Sequence, residues 1–316
     1  MTLIDGIRVG HWTDQEAATG LTVFLLPPSS VAAAAPRGQN PGTLNVPVFQ
    51  PGGSADHADA IVLTGGSCYG LPAAAHVAHV LAEQDVETFA SGDHVPFVIA
   101  AVIYDLKLGR RAWPTPQSVE SAVRTAAPAG DEEVGTVGVG TGATAGSIDG
   151  TAGAMKGGFG RASRATAQGA TIVAWAAVNP VGDVLEEDGR VIAGLRRDGN
   201  PTRVVDVLAT DEKPRLDWGR ATTLVVVATD ARLDKRATAR LAEAGHSGIA
   251  QAVSPCATGL DGDTAFAVAT SKVEITSVLA LEAVAAAVAA EAVRSAVRSA
   301  VGLHGVPAAR DLAETA

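Results

Sequence analysis

The sequence predicts an α+β fold in which helices cover β-sheets, because two hydrophobic patterns alternate along the chain. Short apolar runs of strand length, with turn residues at their edges, occupy residues 21–26, 60–64, 98–104, 172–179, 222–229 and 264–270. Between them, apolar residues recur at three- and four-residue steps and predict helices at residues 71–84, 117–126, 233–253 and roughly 274–300.

Composition indicates one globular domain, residues 1–316, with a core of small side chains. Apolar residues make up 47% of the chain and the mean hydropathy is +0.20, whereas aromatic residues make up only 4%. The chain also contains 35 glycines. We therefore expect closely approaching elements rather than layers separated by large rings.

Charge and cysteine content exclude several classes of partner. The net charge is −10 and the chain has no run rich in lysine or arginine, so we predict no nucleic-acid partner. Cys68 and Cys256 are too few for a disulfide framework, and their spacing matches no zinc or redox motif. A reducing cytoplasm is the simplest compartment.

The sequence predicts no membrane association. The first ten residues include Asp5 and Arg8 and have no apolar run of signal-peptide length. The alanine-rich stretch at 274–300 is interrupted by Glu282, Glu291 and Arg294, so its uncharged runs are shorter than the ~20 residues that a span requires. We interpret it as a packed helix.

Two regions depart from the regular patterns. Residues 135–160 contain ten glycines in 26 residues, which favours tight turns and close backbone approach over a regular element, and which could line a site. Residues 190–220 are charged and include two prolines, which predicts a long exposed loop. This loop gives way abruptly to the apolar run that begins at Thr222. The junction suits chain cleavage, although threonine also starts strands through its β propensity alone.

Common cofactor motifs are incomplete. In residues 138–146 the third glycine of a dinucleotide fingerprint falls one position late, and Lys156 is followed by Gly157 rather than by the Ser or Thr of a phosphate-binding loop. His76 and His79 lie one helical turn apart with no third ligand marked out, so we interpret them as surface or packing residues. We predict no cofactor and no metal.

Residues 65–70 (GGSCYG) follow a predicted strand and precede a predicted helix, as in a nucleophile elbow, but Tyr69 stands where that motif requires glycine. In one interpretation Ser67 is a nucleophile with His246 or His304 as its base. In the other, Ser67 caps the helix that follows.

Asp261 and Asp263 flank a glycine just before a predicted strand. In an extended stretch both carboxylates project to the same side, where they can orient an ammonium group or share one proton. An ordinary Asp-Gly turn explains the same spacing.

The order and the residues of several segments resemble those of the P1 (DmpA-like) peptidases. These enzymes form peptidase family S58 and include β-peptidyl aminopeptidases and nylon-oligomer hydrolases. The resemblance covers almost the whole chain, at residues 6–11 (GIRVGH), 61–67 (IVLTGGS), 102–106 (VIYDL), 138–144 (GVGTGAT), 155–158 (MKGG), 177–182 (AVNPVG), 222–224 (TTL), 227–231 (VATDA) and 261–264 (DGDT). It implies an αββα four-layer sandwich, as in the related ornithine acetyltransferases.

The resemblance further implies an N-terminal-nucleophile hydrolase that cuts its own chain before Thr222, giving an α chain of residues 1–221 and a β chain of residues 222–316. Thr222 then attacks an amide bond next to a free amine. By the same resemblance Asp261 and Asp263 orient Thr222, and Asn179 stabilises the oxyanion. Tyr104 contacts the oxyanion or the substrate, and Lys156 tunes the nucleophile.

The chain departs from the family at two places. Ala221 precedes the nucleophile where many relatives have asparagine and others glycine, and residues 37–45 lack the charged residues common there. The expected substrate is a small peptide or amino amide, with L-α, D-, β- and ω-amino forms all open. The expected assembly is a homo-oligomer, a tetramer of cleaved protomers. Alternatives are a serine hydrolase using Ser67, an acyltransferase of the related fold, and an uncleaved binding protein.

Overall fold

The computed structural model describes residues 3–84, 95–210 and 221–313, and its fold is built on two main β-sheets. The strands are β1 Arg8–Asp14, β2 Thr19–Leu25, β3 Val31–Pro36, β4 Thr43–Leu44, β5 Ala60–Thr64, β6 Val98–Val102, β7 Ala127–Pro128, β8 Thr144–Ala145, β9 Met155–Lys156, β10 Gly158–Ala165, β11 Thr171–Asn179, β12 Asp183–Leu185, β13 Val191–Ala193, β14 Arg196–Arg197, β15 Asn200–Pro201, β16 Thr222–Ala231, β17 Val253–Ser254 and β18 Thr264–Val273. The helices are α1 Pro72–Glu83, α2 Pro116–Arg124, α3 Val204–Thr210, α4 Lys235–Ala252, α5 Val278–Ser299 and α6 Ala309–Ala313.

The first main sheet has the strand order β4-β6-β5-β2-β1-β7, and the second has the order β10-β11-β16-β18-β3. Within the second sheet β16 is the central strand, antiparallel to β11 and parallel to β18. The first residue of β16 pairs with the last residue of β11, and the pairing with β18 begins two residues later, at Leu224.

The two sheets stack face to face over a core that contains the buried rings of Phe24, Phe49, Phe159, Trp175 and Phe266. Phe24 of β2 packs edge-to-face on Trp175 of β11 at 5.2 Å between ring centres, and Phe159 lies beside Phe24. On the outer face of the second sheet lie α4 and α5, and on the outer face of the first lie α1 and α2. This helix–sheet–sheet–helix layering confirms the predicted α+β sandwich.

The long predicted elements are confirmed with small shifts at their ends. Each of the six apolar runs forms a strand (β2, β5, β6, β11, β16 and β18), and each helical pattern forms a helix (α1, α2, α4 and α5). Asp234 caps α4 by accepting the Ala237 N–H at 2.8 Å, and Ser277 caps α5. None of the described helices is long and apolar enough to cross a membrane.

The prediction that residues 135–160 favour turns over regular elements was wrong at β8, β9 and the start of β10, whereas the predicted close backbone approach is confirmed. β10 begins at Gly158, and its glycines let α5 approach the sheet closely. A side chain at Gly160 would lie 2.3 Å from the Ala292 carbonyl oxygen of α5. Glycine here serves strand–helix packing rather than a turn.

The predicted long loop at residues 190–220 was wrong for its first half. Residues 191–210 form β13, β14, β15 and α3, arranged around the buried carboxylate of Asp183. This carboxylate accepts the Leu195 N–H at 2.9 Å and the Val204 N–H at 2.8 Å. Residues 211–220, the second half of the predicted loop, lie outside the described residues.

Candidate active site

Thr222 is the first residue of the central strand β16 and is 4% exposed. It is paired directly with Asn179, the last residue of β11. The second and third residues of β16 continue the ladder, with Leu224 opposite Thr264 of β18. Two of the predicted site residues are thus brought together by strand register alone.

The carbonyl oxygen of Ala221 accepts two hydrogen bonds. The Thr222 hydroxyl donates to it at 2.6 Å, and the Gly262 N–H donates to it at 2.8 Å. Ala221 is itself held by its own N–H, which donates to the Leu260 carbonyl oxygen at 3.1 Å. The peptide bond before Thr222 is therefore fixed, with a hydroxyl and a backbone donor both directed at its oxygen.

Asp263 anchors the backbone around Thr222. Its carboxylate accepts the Thr223 N–H at 2.6 Å and the Ala257 N–H at 2.8 Å. Asp261 accepts the Thr258 N–H at 3.0 Å and hydroxyl at 2.6 Å. Both carboxylates are fully buried beside the Ala221–Thr222 bond and, within the described structure, neither hydrogen-bonds the Thr222 hydroxyl.

The two carboxylates resist simultaneous ionisation. Burial, followed by the charge of neighbouring Asp261, raises the pKa of Asp263 to about 7, and burial also raises the pKa of Asp261. Burial and the repulsion between the two negative charges therefore disfavour the doubly ionised pair. An ammonium group formed next to them would lower the pKa of each carboxyl group, since a positive charge favours its ionised form.

The Asn179 side chain has a fixed orientation. Its Oδ1 accepts the Thr144 N–H at 2.9 Å, so its Nδ2 is the donor end and donates to the Tyr104 carbonyl oxygen at 3.3 Å. The hydrogen bond from Nδ2 to the Tyr104 carbonyl oxygen is long, and Nδ2 carries a second hydrogen that it can donate to another acceptor. Asn179 thus presents an amide donor beside Thr222, as oxyanion stabilisation requires.

Lys156 is fully buried and holds the backbone that orients Asn179. Its Nζ donates to the Thr141 carbonyl oxygen at 2.8 Å and to the Ala143 carbonyl oxygen at 2.6 Å. Burial lowers the pKa of Lys156 to about 7, with the Asp105 charge opposing the shift. The hydrogen bonds of Lys156 thus lie on Thr141 and Ala143, and the described structure gives it none to Thr222.

Asp105 is a buried carboxylate that our sequence analysis did not single out. It accepts the Gly66 N–H and the Thr19 hydroxyl, both at 2.7 Å, and burial raises its pKa to about 6. Asp105 directly follows Tyr104. An acidic residue next to a predicted site residue, at the end of a predicted strand, was therefore the signal in the sequence that could have identified it. The Gly262 N–H was also missed, because a backbone donor leaves no mark in the sequence.

A cleft of about 270 Å³ gives access to Thr222. Tyr104 and Val102 line it together with Ser67 and Cys68, and no charged side chain among the described residues does so. Residues 39–42 complete its wall.

Ser67 lines the same cleft, but neither proposed base contacts it. It has a positive φ of 53°, as a strained turn residue has. His246 contacts the Ala35 carbonyl oxygen, and His304 contacts that of Gln15. Ser67 does not cap α1, whose N-cap is Leu71 without a side-chain bond, so that interpretation was wrong.

No group of three or more His, Cys, Asp or Glu side chains suited to a metal ion occurs within residues 3–84, 95–210 and 221–313. His76 is half-buried and His79 exposed on α1, consistent with surface or packing residues.

Comparison with solved structures defines the fold. The chain matches the L-aminopeptidase D-Ala-esterase/amidase of Ochrobactrum anthropi with a TM-score of 0.73 at 22% identity, covering 97% of this chain and 88% of that one. That structure is described as a variant of the Ntn hydrolase fold. A β-aminopeptidase of a Burkholderia species matches with a TM-score of 0.70 at 22% identity, over 96% and 87% of the two chains. The layered sandwich is therefore of the Ntn-hydrolase type.

Sequence comparison gives the family. The profile of Peptidase family S58 matches residues 1–314, and the chain belongs to this family and is a hydrolase. It is 39% identical over 305 residues to an uncharacterised aminopeptidase of Mycobacterium leprae, covering 88% of this chain and 80% of that protein. It is 29% identical over 286 residues to a 6-aminohexanoate-oligomer endohydrolase of a Kocuria species, covering 85% and 74%. The resemblance identified in the sequence is confirmed.

Proposed function

We propose that this protein is a self-cleaving aminopeptidase/amidase whose nucleophile is Thr222. The observation that carries the proposal is the Ala221 carbonyl group, whose oxygen accepts both the Thr222 hydroxyl and the Gly262 N–H beside the uncharged cleft. Names of relatives, among them aminopeptidases and an oligomer hydrolase, support this class of reaction.

Self-cleavage begins when the Thr222 Oγ1 attacks the Ala221 carbonyl carbon. The Gly262 N–H stabilises the oxyanion that forms, because it already donates to that oxygen. The Ala221–Thr222 C–N bond breaks, and the departing amine takes the hydroxyl proton. An ester then joins Ala221 to Oγ1, and water hydrolyses it, leaving a carboxylate on Ala221 and the hydroxyl on Thr222. The products are residues 1–221 and residues 222–316.

The freed α-amino group becomes the base for turnover, since its reference pKa of about 7.7–8.0 is close to neutral. The Thr222 hydroxyl attacks the amide carbonyl carbon of a small peptide or amino amide, and the proton passes through the amine to the leaving group as the C–N bond breaks. The acyl group is then an ester on Thr222 Oγ1, and water hydrolyses this ester, which releases a carboxylate product and restores the hydroxyl. Asn179 Nδ2 stabilises the oxyanion. Asp261 and Asp263 hold the new ammonium group, which lies at the backbone they already brace.

Tyr104 and Lys156 have different parts in this scheme. Tyr104 lines the cleft and contacts the substrate, while its carbonyl oxygen receives the Asn179 amide. Lys156 positions Asn179 through the Ala143 carbonyl group and residue 144. Resemblance to the family also supports a cytoplasmic tetramer of cleaved protomers, which light scattering of the purified protein would test.

Intact mass spectrometry of the denatured protein tests the proposal. We expect a fragment of 95 residues (316 minus 221) that begins with Thr222. Thr222→Ala should stay a single inactive chain, and Thr222→Ser, which keeps a hydroxyl, should cleave. A Thr222→Ala variant with full activity would overturn the proposal.

One observation favours a second candidate, a serine hydrolase that uses Ser67. Ser67 lies in the cleft with the positive φ typical of a nucleophile elbow. In that case Ser67→Ala would abolish activity and Thr222→Ala would leave it largely intact. If Thr222 is the nucleophile, as we propose, Ser67→Ala still cleaves its own chain.

A further inference from the structure

An exposed aromatic pair lies next to the cleft wall. Tyr69 and Trp113 stack with ring centres 4.7 Å apart and planes at 22°, and they are 49% and 40% exposed. Tyr69 follows the cleft residues Ser67 and Cys68 directly. Trp113 packs against Gly66, where an added side chain would lie 2.5 Å from the Trp113 Cβ. The pair is thus attached to the turn that forms one side of the cleft.

Arg111 completes this surface. Its guanidinium lies 5.2 Å from the centre of the Tyr69 ring and donates to the Tyr69 hydroxyl at 3.1 Å. Within the part of the chain that the structure describes, no carboxylate forms an ion pair with Arg111. The neighbouring Arg110, by contrast, lies 3.5 Å from Asp14. Among the described residues Arg111 is therefore a cation without a carboxylate partner, on a protein with a net charge of −10, and it lies on the aromatic pair beside the cleft wall.

Electrostatics decide which end of a substrate this surface can take. The hydrolysis proposed above needs a substrate with a free amine, and a cation beside the cleft wall repels that end. The opposite end of a short peptide carries a carboxylate, which pairs well with a planar guanidinium. A stacked aromatic pair with about half its surface exposed provides apolar area for a neighbouring side chain.

We propose that Arg111, Tyr69 and Trp113 form a leaving-group subsite that binds the carboxyl-terminal residue of a di- or tripeptide. Arg111 binds the free carboxylate, and the aromatic pair packs on the side chain, which favours an aromatic or large apolar residue. This inference rests on the proposed function and narrows it to short peptides with an unblocked C-terminus.

The test compares matched substrates. The aminoacyl p-nitroanilide that is cleaved fastest defines the amino-terminal residue, and two dipeptides then carry that residue followed by phenylalanine, with either a free carboxylate or a carboxamide. We expect kcat/KM to favour the free carboxylate about fivefold in the wild type, the size typical of a partly exposed charge pair. Arg111→Gln should remove that preference by lowering kcat/KM for the free carboxylate far more than for the carboxamide.

Arg110→Gln is the matched control, because it removes an adjacent arginine that has an acidic neighbour, and it should keep the preference. Trp113→Ala should lower the preference for phenylalanine over alanine at the second position. Equal rates on carboxylate and carboxamide in the wild type, or a preference that survives Arg111→Gln, would overturn the subsite. If Thr222→Ala hydrolysed every substrate as fast as the wild type, that result would instead count against the proposed function.

Discussion

The N–H of Gly262 donates to the carbonyl oxygen of Ala221 at 2.8 Å, which joins the Asp261–Asp263 turn to the bond that we propose is cut. An added methyl group at Gly262 would lie 2.8 Å from the Thr222 Oγ1 and 2.6 Å from the Asn40 carbonyl oxygen. Gly262→Ala should therefore displace the hydroxyl and slow self-cleavage about a hundredfold, as misplacement by an ångström does. The measurement is the fraction of uncut chain against time.

Gly259→Ala is the control for that variant, because its methyl group would meet only the Gln39 Oε1 at 3.7 Å. It should cleave at the wild-type rate. Normal cleavage in Gly262→Ala would contradict the prediction that the position of the Thr222 hydroxyl sets the rate of self-cleavage.

Asn179→Asp should separate turnover from self-cleavage. The aspartate keeps an acceptor for the Thr144 N–H but loses the Nδ2 donor. We expect hydrolysis to fall by about 10²–10³. Self-cleavage should fall far less, since its oxyanion is bound by Gly262. Equal losses in steady-state hydrolysis and in chain cutting would contradict this division.

Lys156→Met should cost the folded state stability as well as activity. It leaves the Thr141 and Ala143 carbonyl oxygens without their donor, and it leaves the buried Asp105 carboxylate without a nearby positive charge. We expect a loss of about 2–4 kcal/mol in the free energy of unfolding, measured in urea on the Thr222→Ala background. Adding Asp105→Asn should recover part of it, and no recovery would show that the two charges are independent.

Asp183 should make stability depend on pH. Burial raises its pKa from 3.8 to about 6, so the folded state holds a proton that the unfolded state loses between those values. The free energy of unfolding therefore falls as pH rises through this window, by up to about 3 kcal/mol, and is constant above it as far as this group is concerned.

Asp183→Asn should flatten that dependence. The variant loses the acceptor of the Val204 N–H, so its free energy of unfolding should be lower than that of the parent at pH 4.5. The difference between the two free energies should be smaller at pH 7.5. Urea unfolding at the two pH values on the Thr222→Ala background gives both differences. A constant gap would mean that Asp183 is ionised throughout.

The long strands and helices could be predicted from the sequence because their apolar patterns are local. β3 could not, since its central residues 32–35 are all alanine, which has weak β propensity. It becomes a strand by pairing with β18, from Val31 opposite Ala269 to Pro36 opposite Thr264. No window of neighbouring residues contains that partner.

For the site, too, only features that the local sequence contains could be predicted. Side chains with chemistry, such as Thr222 and the two aspartates, are visible in the sequence, and the family resemblance gave Asn179 and Lys156. The backbone donor at Gly262 and the carbonyl groups around Lys156 depend on chain geometry alone. The observed contacts of Lys156 lie on Thr141 and Ala143, and its expected role in tuning the nucleophile stays a prediction.

The position of Thr222 at the start of β16 has a consequence for the way in which the protein loses activity on heating. A chain end made by cleavage normally frays, but this one would continue directly into a ladder with a neighbour on each side. Heating that loosens the outer helices should therefore inactivate molecules one by one before it changes the position of the Thr222 hydroxyl in those that stay active. Partly inactivated samples should contain fewer competent molecules, each with an unchanged Michaelis constant.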